Sequence, residues 1–332
     1  MRERAPLLLL DVDTGIDDTI ALLYAALHPD VRLIGAGAVW GNVAVEIAAR
    51  NTSHALAMAG LGGLPVAAGA AGPVAGGPVH YGYFVHGGDG QGNAGDRTFS
   101  AELVSRSAAE QIVGLARTHP GEIEIVAVGP MTNVALALGL CPELPSLVRG
   151  LTMMGGAAFA PGNRTPVAEA NIWHDPEAAK AVFAASWPVT VVPLDVTMRT
   201  LLTERHRQRL LDAGGIASYV GRMLDFYFDY FRDEAFAERS SCIHDVLAVA
   251  VAAGTLMPDL APTVNATVDD GDGLGRGQTI FDLRGCYRGY PKQRGAHCRV
   301  VLEANPQFVE EVVELLCSAG PSRIMAAERA GV

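Results

Sequence analysis

An open, mostly parallel α/β sheet with helices on both faces is the fold this sequence predicts, as one domain spanning residues 1–332. Three observations predict it. Apolar runs of strand length alternate with helix-length periodic segments. Those runs are continuously apolar rather than alternating, which marks strands covered on both sides. Polar and acidic groups gather where strand patterns stop, and in such folds ligands bind beyond the carboxyl ends of strands.

The elements follow in order. Strand patterns cover 7–11, 33–39, 123–128, 151–154 and 189–193; helical patterns cover 17–27, 46–59, 108–117, 133–140, 176–184, 204–211 and 243–253. The glycine-rich stretch 69–95 predicts a long loop within the domain, of the kind that serves as a functional lid. There is no linker and no internal repeat. A dinucleotide fingerprint fails, because Gly35-Ala36-Gly37 has Trp40 where the third glycine is needed. The segment 225–232 (Asp-Phe-Tyr-Phe-Asp-Tyr-Phe-Arg) is aromatic-rich in a chain with 6% aromatics. It reads as a core helix or as an aromatic helix closing over a flat ligand.

Composition narrows the function. The 332 residues are 49% hydrophobic and 18% charged, with 25 Lys+Arg against 36 Asp+Glu and a net charge of −11. An acidic chain argues against a nucleic-acid partner. The two lysines, Lys180 and Lys292, form no phosphate-cradling Gly-Lys motif. Five scattered cysteines without a Cys-x-x-Cys pair argue against structural zinc and a disulfide framework, and fit a reducing cytosol. The apolar segment before Asp11 is too short for a signal peptide, and no run of ~20 apolar residues predicts a membrane span. A cytoplasmic location is the expectation.

Asp11-Val12-Asp13-Thr14-Gly15-Ile16-Asp17-Asp18 places four carboxylates at a strand–turn–helix junction. Two like charges ~4 Å apart repel by ~4 kcal/mol at a near-surface dielectric, so the cluster calls for a cation, and hard oxygen donors suit Ca²⁺ or Mg²⁺. An EF-hand is excluded, because its sixth and twelfth positions would be Ile16 and Leu22. A haloacid dehalogenase-type phosphatase shares Asp-x-Asp after a first strand, but continues Gly-Thr where this chain has Thr14-Gly15. The helix dipole accounts for Asp17 and Asp18 in a first turn, not for Asp11 and Asp13.

Further segments join strand ends to polar groups: Trp40-Gly41-Asn42, Val128-Gly129-Pro130-Met131-Thr132-Asn133, Met154-Gly155-Gly156 through Asn163, Glu169-Ala170-Asn171, and Ser241-Cys242-Ile243-His244-Asp245. Together with the acid cluster, in this order, they resemble the inosine–uridine-preferring nucleoside hydrolases, from residue ~7 to at least ~285. The resemblance implies the nucleoside hydrolase fold on a Rossmann-like core. It implies Ca²⁺-dependent hydrolysis of the N-glycosidic bond of a small-molecule ribonucleoside, in a homodimer or homotetramer serving nucleoside salvage. Asp13, Asp18, Asp245 and the Val128 carbonyl would hold calcium, and Asp13 would also be the general base. His244 would be the acid for the leaving base. Asp17, Asn42, Glu169 and Asn171 would hold the ribose, Asn163 the 5′-hydroxyl, and Met154 the sugar's apolar side. His86 would approach the base or ribose. Tyr227 and Tyr230 would contact the base, and with His244 they lean toward pyrimidine or broad inosine–uridine use.

Glu169 and Asn171, two apart, would point the same way from an extended backbone. Thr14 replaces the family's usual Pro, and Ala170 stands where the family often has an aromatic. A non-catalytic Ca²⁺-dependent nucleoside or ribose sensor is the alternative, with the phosphatase as a third reading.

Overall fold

The computed structural model describes residues 5–319. Twelve strands are present among them: β1 (Leu7–Val12), β2 (Arg32–Ala38), β3 (Val66–Ala68), β4 (Ile123–Ala127), β5 (Gly150–Met154), β6 (Val189–Val192), β7 (Leu201–Thr203), β8 (Ser240–Cys242), β9 (Thr263–Val264), β10 (Ala266–Val268), β11 (Thr279–Phe281) and β12 (Cys298–Val300). Eight form one sheet in the order β3-β2-β1-β4-β5-β6-β12-β9, with every pairing parallel except β12 with β9. Two further ribbons pair β7 with β8 and β10 with β11.

The five expected strands are present within one or two residues. The missed sheet members are three residues or shorter. So short a segment carries no periodicity, and its place in the sheet is set by neighbours rather than by local pattern.

Both sheet faces are covered, as the apolar strands require. In β1, Leu8, Leu10 and Val12 face a core built with helices Ile16–Leu27, Gly215–Glu234, His244–Ala253 and Phe308–Ser318. Leu7 and Leu9 face the other core, with helices Ala108–Thr118, Thr132–Leu140 and Pro176–Ala184. The first helix is buried along nearly its whole length.

The chain builds outward from β1 through β2 to β3, then returns to β4 and proceeds through β5 to β6. The reversal leaves a crevice between the carboxyl ends of β1 and β4, where ligands bind in sheets of this type. Asp11 pairs in register with Ala127 on β4 and Gly37 on β2, so the acidic turn and the Val128-Gly129 turn emerge side by side.

The segment 69–95 is a loop interrupted by a short helix, Tyr83–His86, which packs against the helix Gly215–Glu234. Among the described residues no helix is long and apolar enough to cross a membrane.

Candidate active site

The acidic turn is held by its own carboxylates. Asp18, in the first turn of helix Ile16–Leu27, accepts the Gly15 N–H at 2.8 Å and the Asp13 N–H at 3.2 Å. Orphan N–H groups at a helix start are satisfied in this way, and the dipole favours the negative charge. A third N–H of the turn, that of Ile16, donates to His86 Nδ1 at 3.1 Å. His86 Nδ1 is therefore the unprotonated nitrogen, and burial pushes the ring down to about 3. His86 is neutral, so its 3.9 Å approach to Asp17 is not an ion pair. Far from being a surface loop residue, it is 5% exposed.

Asp13 sits between two glycines. Its Oδ2 accepts the Asn42 N–H at 2.7 Å. A Cβ on Gly41 would lie 2.1 Å from that oxygen, and a Cβ on Gly129 would lie 2.9 Å from Oδ1. Only glycine admits this carboxylate, and Gly41 also has φ of 154°.

Asp17, Asp18 and Asp245 bring ligand oxygens within 4.8 Å of one another. All four carboxylates are raised. Burial first, then the charge of Asp18, lifts Asp13 well above the usual range and Asp17 to about 8. Burial raises Asp18, and burial followed by the charges of Asp17, Asp18 and Asp13 raises Asp245. Asp13 Oδ1 and Asp17 Oδ1 are buried without a hydrogen-bond partner. Buried polar atoms are rarely left so. Orphaned carboxylate oxygens in an all-oxygen set fit a hard divalent cation such as Ca²⁺. Of the expected ligands, Asp18 and Asp245 stand in this group together with Asp17, which was expected on the sugar, and Val128 lines the cavity beside Asp17 and Asp245.

Asp11 is different. Its Oδ1 accepts from Asn133 Nδ2 at 2.8 Å, and that amide also bonds the Ala38 carbonyl at 3.0 Å. It braces β1 against the β4 turn and does not line the pocket. The phosphatase reading thus has no nucleophile in the cavity. Thr14 also turns away, its hydroxyl 2.6 Å from that of Thr52, so the substitution for Pro leaves the acids untouched.

Above the acids lies a cavity of about 560 Å³, lined by Asp17, Asn42, His86, Val128, Met154, Asn163, Glu169, Asn171, Tyr227, Tyr230, His244 and Asp245 among others. That volume suits a small organic ligand. A second depression of about 600 Å³, between helices Ala108–Thr118, Thr132–Leu140 and Pro176–Ala184, is lined by few polar groups and none of the acid cluster.

One expectation needs correction. Glu169 and Asn171 do not share an extended strand. Glu169 is extended but caps the helix Ala170–His174, and Asn171 is in that helix's first turn. The Glu169 carboxylate accepts the N–H groups of Asn171, Ile172 and Gly156 at 2.9, 3.2 and 3.0 Å, and burial lifts it to about 7. Helix capping, a stronger local demand than β extension, wins here. Both side chains still line the cavity. Asn171 Nδ2 donates to the Val128 carbonyl at 2.7 Å and the Met154 carbonyl at 3.1 Å, tying the ends of β4 and β5 together. Asn163 Oδ1 accepts the Ala170 N–H at 2.9 Å, which folds its loop onto the helix start. Ala170 borders the cavity and leaves space where a ring would stand.

The aromatic segment divides by face. Phe228 is buried away from the cavity, whereas Tyr227 and Phe231, also buried, and the half-buried Tyr230 line it from the same helix, Gly215–Glu234. His244 opens the next cavity helix, His244–Ala253, beside Asp245; burial lowers it to about 4, and its Nδ1 lies 2.8 Å from Thr197 Oγ1. Several residues escaped the sequence reading: Tyr81, Phe84, Arg164, His174 and Glu234 at the cavity wall, and Thr197 and Asp195 behind it. Pro193-Leu-Asp-Val-Thr directly after β6 carried the same strand-end signal as the segments that were found. The wall residues carried none.

A doubly covered parallel sheet with an acid-floored, aromatic-walled pocket at its switch point defines an α/β enzyme for a small polyhydroxylated substrate. The chain belongs to the inosine-uridine preferring nucleoside hydrolase family, which it matches over residues 8–311, and it is a ribonucleoside hydrolase. It is 34% identical over 301 residues to the inosine-uridine preferring nucleoside hydrolase of Leishmania major, covering 89% of this chain and 92% of that one. It is 39% identical over 224 residues to a probable uridine nucleosidase 1 of Oryza sativa subsp. japonica, covering 67% and 69%. The purine-preferring ribonucleoside hydrolase from Gardnerella vaginalis superposes with a TM-score of 0.85 at 30% identity, over 94% of this chain and 98% of that one.

Proposed function

We propose that the cavity hydrolyses the N-glycosidic bond of ribonucleosides, with Asp13 as the general base over a Ca²⁺ site. The observation that carries this reading is the buried, partnerless Oδ1 of Asp13, whose backbone N–H bonds Asp18 in the Asp17–Asp18–Asp245 cluster, two members of which line the cavity. Asp13, Asp18, Asp245 and the Val128 carbonyl would hold the ion. When bound, such an ion supplies the positive charge that keeps these carboxylates ionised, acidifies water and anchors sugar hydroxyls.

The chain's own groups do the rest. Asp17, Asn42, Glu169 and Asn171 orient the ribose, Asn163 meets its 5′ end, and Met154 packs on its apolar side. Asp13 takes a proton from water as the water oxygen bonds to C1′. The C1′–N bond breaks, and its electron pair leaves with the base. Surrounding carboxylates stabilise the oxocarbenium-like sugar. His244 donates a hydrogen bond to the departing base, with His86 beside the sugar and Tyr227 and Tyr230 against the base. The base leaves as an anion held by that hydrogen bond and takes its proton from solvent, to which Asp13 returns the one it removed; the products are free base and ribose. We infer broad inosine–uridine use, because relatives named for uridine and for purines are both similar to this chain.

Asp13→Ala tests the reading. A reducing-sugar assay on uridine, cytidine, inosine, adenosine and guanosine should lose several orders of magnitude, with the melting profile still cooperative. Near-normal turnover on any of them would refute the assignment. Dimer or tetramer assembly is a proposal from the resemblance and a cytoplasmic location one from the scattered, unpaired cysteines; light scattering checks the first and fractionation the second.

A further inference from the structure

We propose that Thr197 is a positioning residue that fixes the tautomer and orientation of His244, so that the ring presents Nε2–H to the departing base. This rests on the reading of His244 as the leaving-group donor. Thr197 ends the short helix Leu194–Thr197, directly after β6, and is completely buried. Its hydroxyl lies 2.8 Å from His244 Nδ1, 47 residues away in sequence. The two are brought together by the β7–β8 ribbon, which pairs Leu201 with Cys242, and by the Ile243 N–H donating to the Thr200 carbonyl. The Thr197 backbone is itself fixed, its N–H donating to the Pro193 carbonyl at 3.2 Å.

The direction of the bond follows from satisfaction. A hydroxyl has one hydrogen to donate, and a buried donor is nearly always paired. Among the described hydrogen bonds the Thr197 hydroxyl meets no partner but Nδ1. The reverse arrangement, with Nδ1–H donating to Oγ1, would leave the hydroxyl hydrogen of a fully buried side chain without an acceptor among the described groups. Nδ1 is therefore the acceptor and the ring hydrogen sits on Nε2. His244 lines the cavity, so Nε2 is the ring nitrogen left for a ligand. The ring is further bounded by Phe231, 6.2 Å away between centroids. As in other catalytic histidines the second nitrogen is held by a fixed partner, but a hydroxyl that donates to Nδ1 sets the opposite tautomer from a carboxylate that accepts from it.

The test compares two substrates in the full-length protein with saturating Ca²⁺. Uridine or inosine needs help for its leaving base; p-nitrophenyl β-ribofuranoside releases a stable phenolate without it. His244→Ala should lower kcat on the nucleoside by about 100-fold or more while sparing the nitrophenyl riboside. Thr197→Val, which keeps shape and removes the hydroxyl, should give the same signature at roughly tenfold, the size expected for an orienting partner, with KM and the nitrophenyl rate within about twofold. Thr197→Ser should restore nucleoside turnover. Equal slowing of both substrates by Thr197→Val, or a change confined to KM, would overturn the inference. If His244→Ala fails to discriminate, the reading of His244 falls; if it discriminates and Thr197→Val does not, only the inference about Thr197 falls. Should Thr197→Val fail to fold, ¹⁵N-histidine NMR of the wild-type protein decides. A His244 signal, assigned by its loss in His244→Ala, should show the Nε2–H tautomer; the Nδ1–H tautomer would refute the proposal.

Discussion

Stripping divalent cations from this protein should destabilise it, and the loss should shrink as the pH falls. Oxygens of Asp17, Asp18 and Asp245 lie within 4.8 Å of one another. At that separation each ionised pair costs ~3.5 kcal/mol at an effective dielectric of 20, and three pairs ~10 kcal/mol. That sum is comparable with the whole stability of a domain. Without a cation the fold avoids it by holding protons: Asp17 is pushed up to about 8, and Asp13, Asp18 and Asp245 are raised with it. In the unfolded chain these groups titrate near 3.9. From that value up to about 8 the cation-free fold binds more protons than the unfolded chain, so its stability declines as pH rises through the window. Calcium at 100-fold above its Kd adds ~2.7 kcal/mol, which moves the Tm by roughly 4 °C for a chain of this size. The assay is differential scanning fluorimetry with CaCl₂ against EGTA at pH 8, 7 and 5.5. The calcium shift should be largest at pH 8 and small at pH 5.5, and Asp18→Asn should raise the Tm of the chelated protein while abolishing the response. No calcium shift at pH 8, or a shift that grows on acidification, would refute the electrostatic argument.

Two further outcomes follow from other contacts. Gly41→Ala puts a methyl group 2.1 Å from Asp13 Oδ2 and should cost at least ~10²-fold in kcat/KM by displacing that carboxylate; Gly60→Ala, at another positive φ with nothing within 4 Å, should leave turnover unchanged. Glu124, far along β4 from the cavity, is lifted by burial to about 7 although the Thr152 hydroxyl and Arg149 pull it back. The fold prefers it protonated, so its favourable state is complete below about 4.5 and is lost as pH rises through about 7. Glu124→Gln should therefore stabilise by up to about 3 kcal/mol at pH 8 and by almost nothing at pH 4.5 in urea titrations.

The acid turn shows why part of this protein was readable. Asp13, Asp17 and Asp18 lie within six residues, so strand end, turn and helix start assemble them locally, and the apolar runs on either side fix the junction. The same holds for the Val128-Gly129 and Glu169-Ala170-Asn171 segments, each at a strand end or helix start. Short strands such as β3, β9 and β12 were not readable, because three residues carry no period. Glu169 and Asn171 were found but given the wrong backbone, since a helix cap and an extended strand begin with the same torsion angles.

By itself the sequence determined the parallel sheet and the position of the acids, since contiguous residues and continuous apolar runs encode these. Only the tertiary structure decided that Asp11 braces β1 while Asp13 meets the Asn42 N–H between Gly41 and Gly129, that His86 caps a helix 70 residues before it, and that Thr197 meets His244. Such pairings depend on strand order and on which buried hydroxyl or carbonyl lies nearest. Those distances arise when segments far apart in the chain are packed together, and nothing in the spacing of either segment records them.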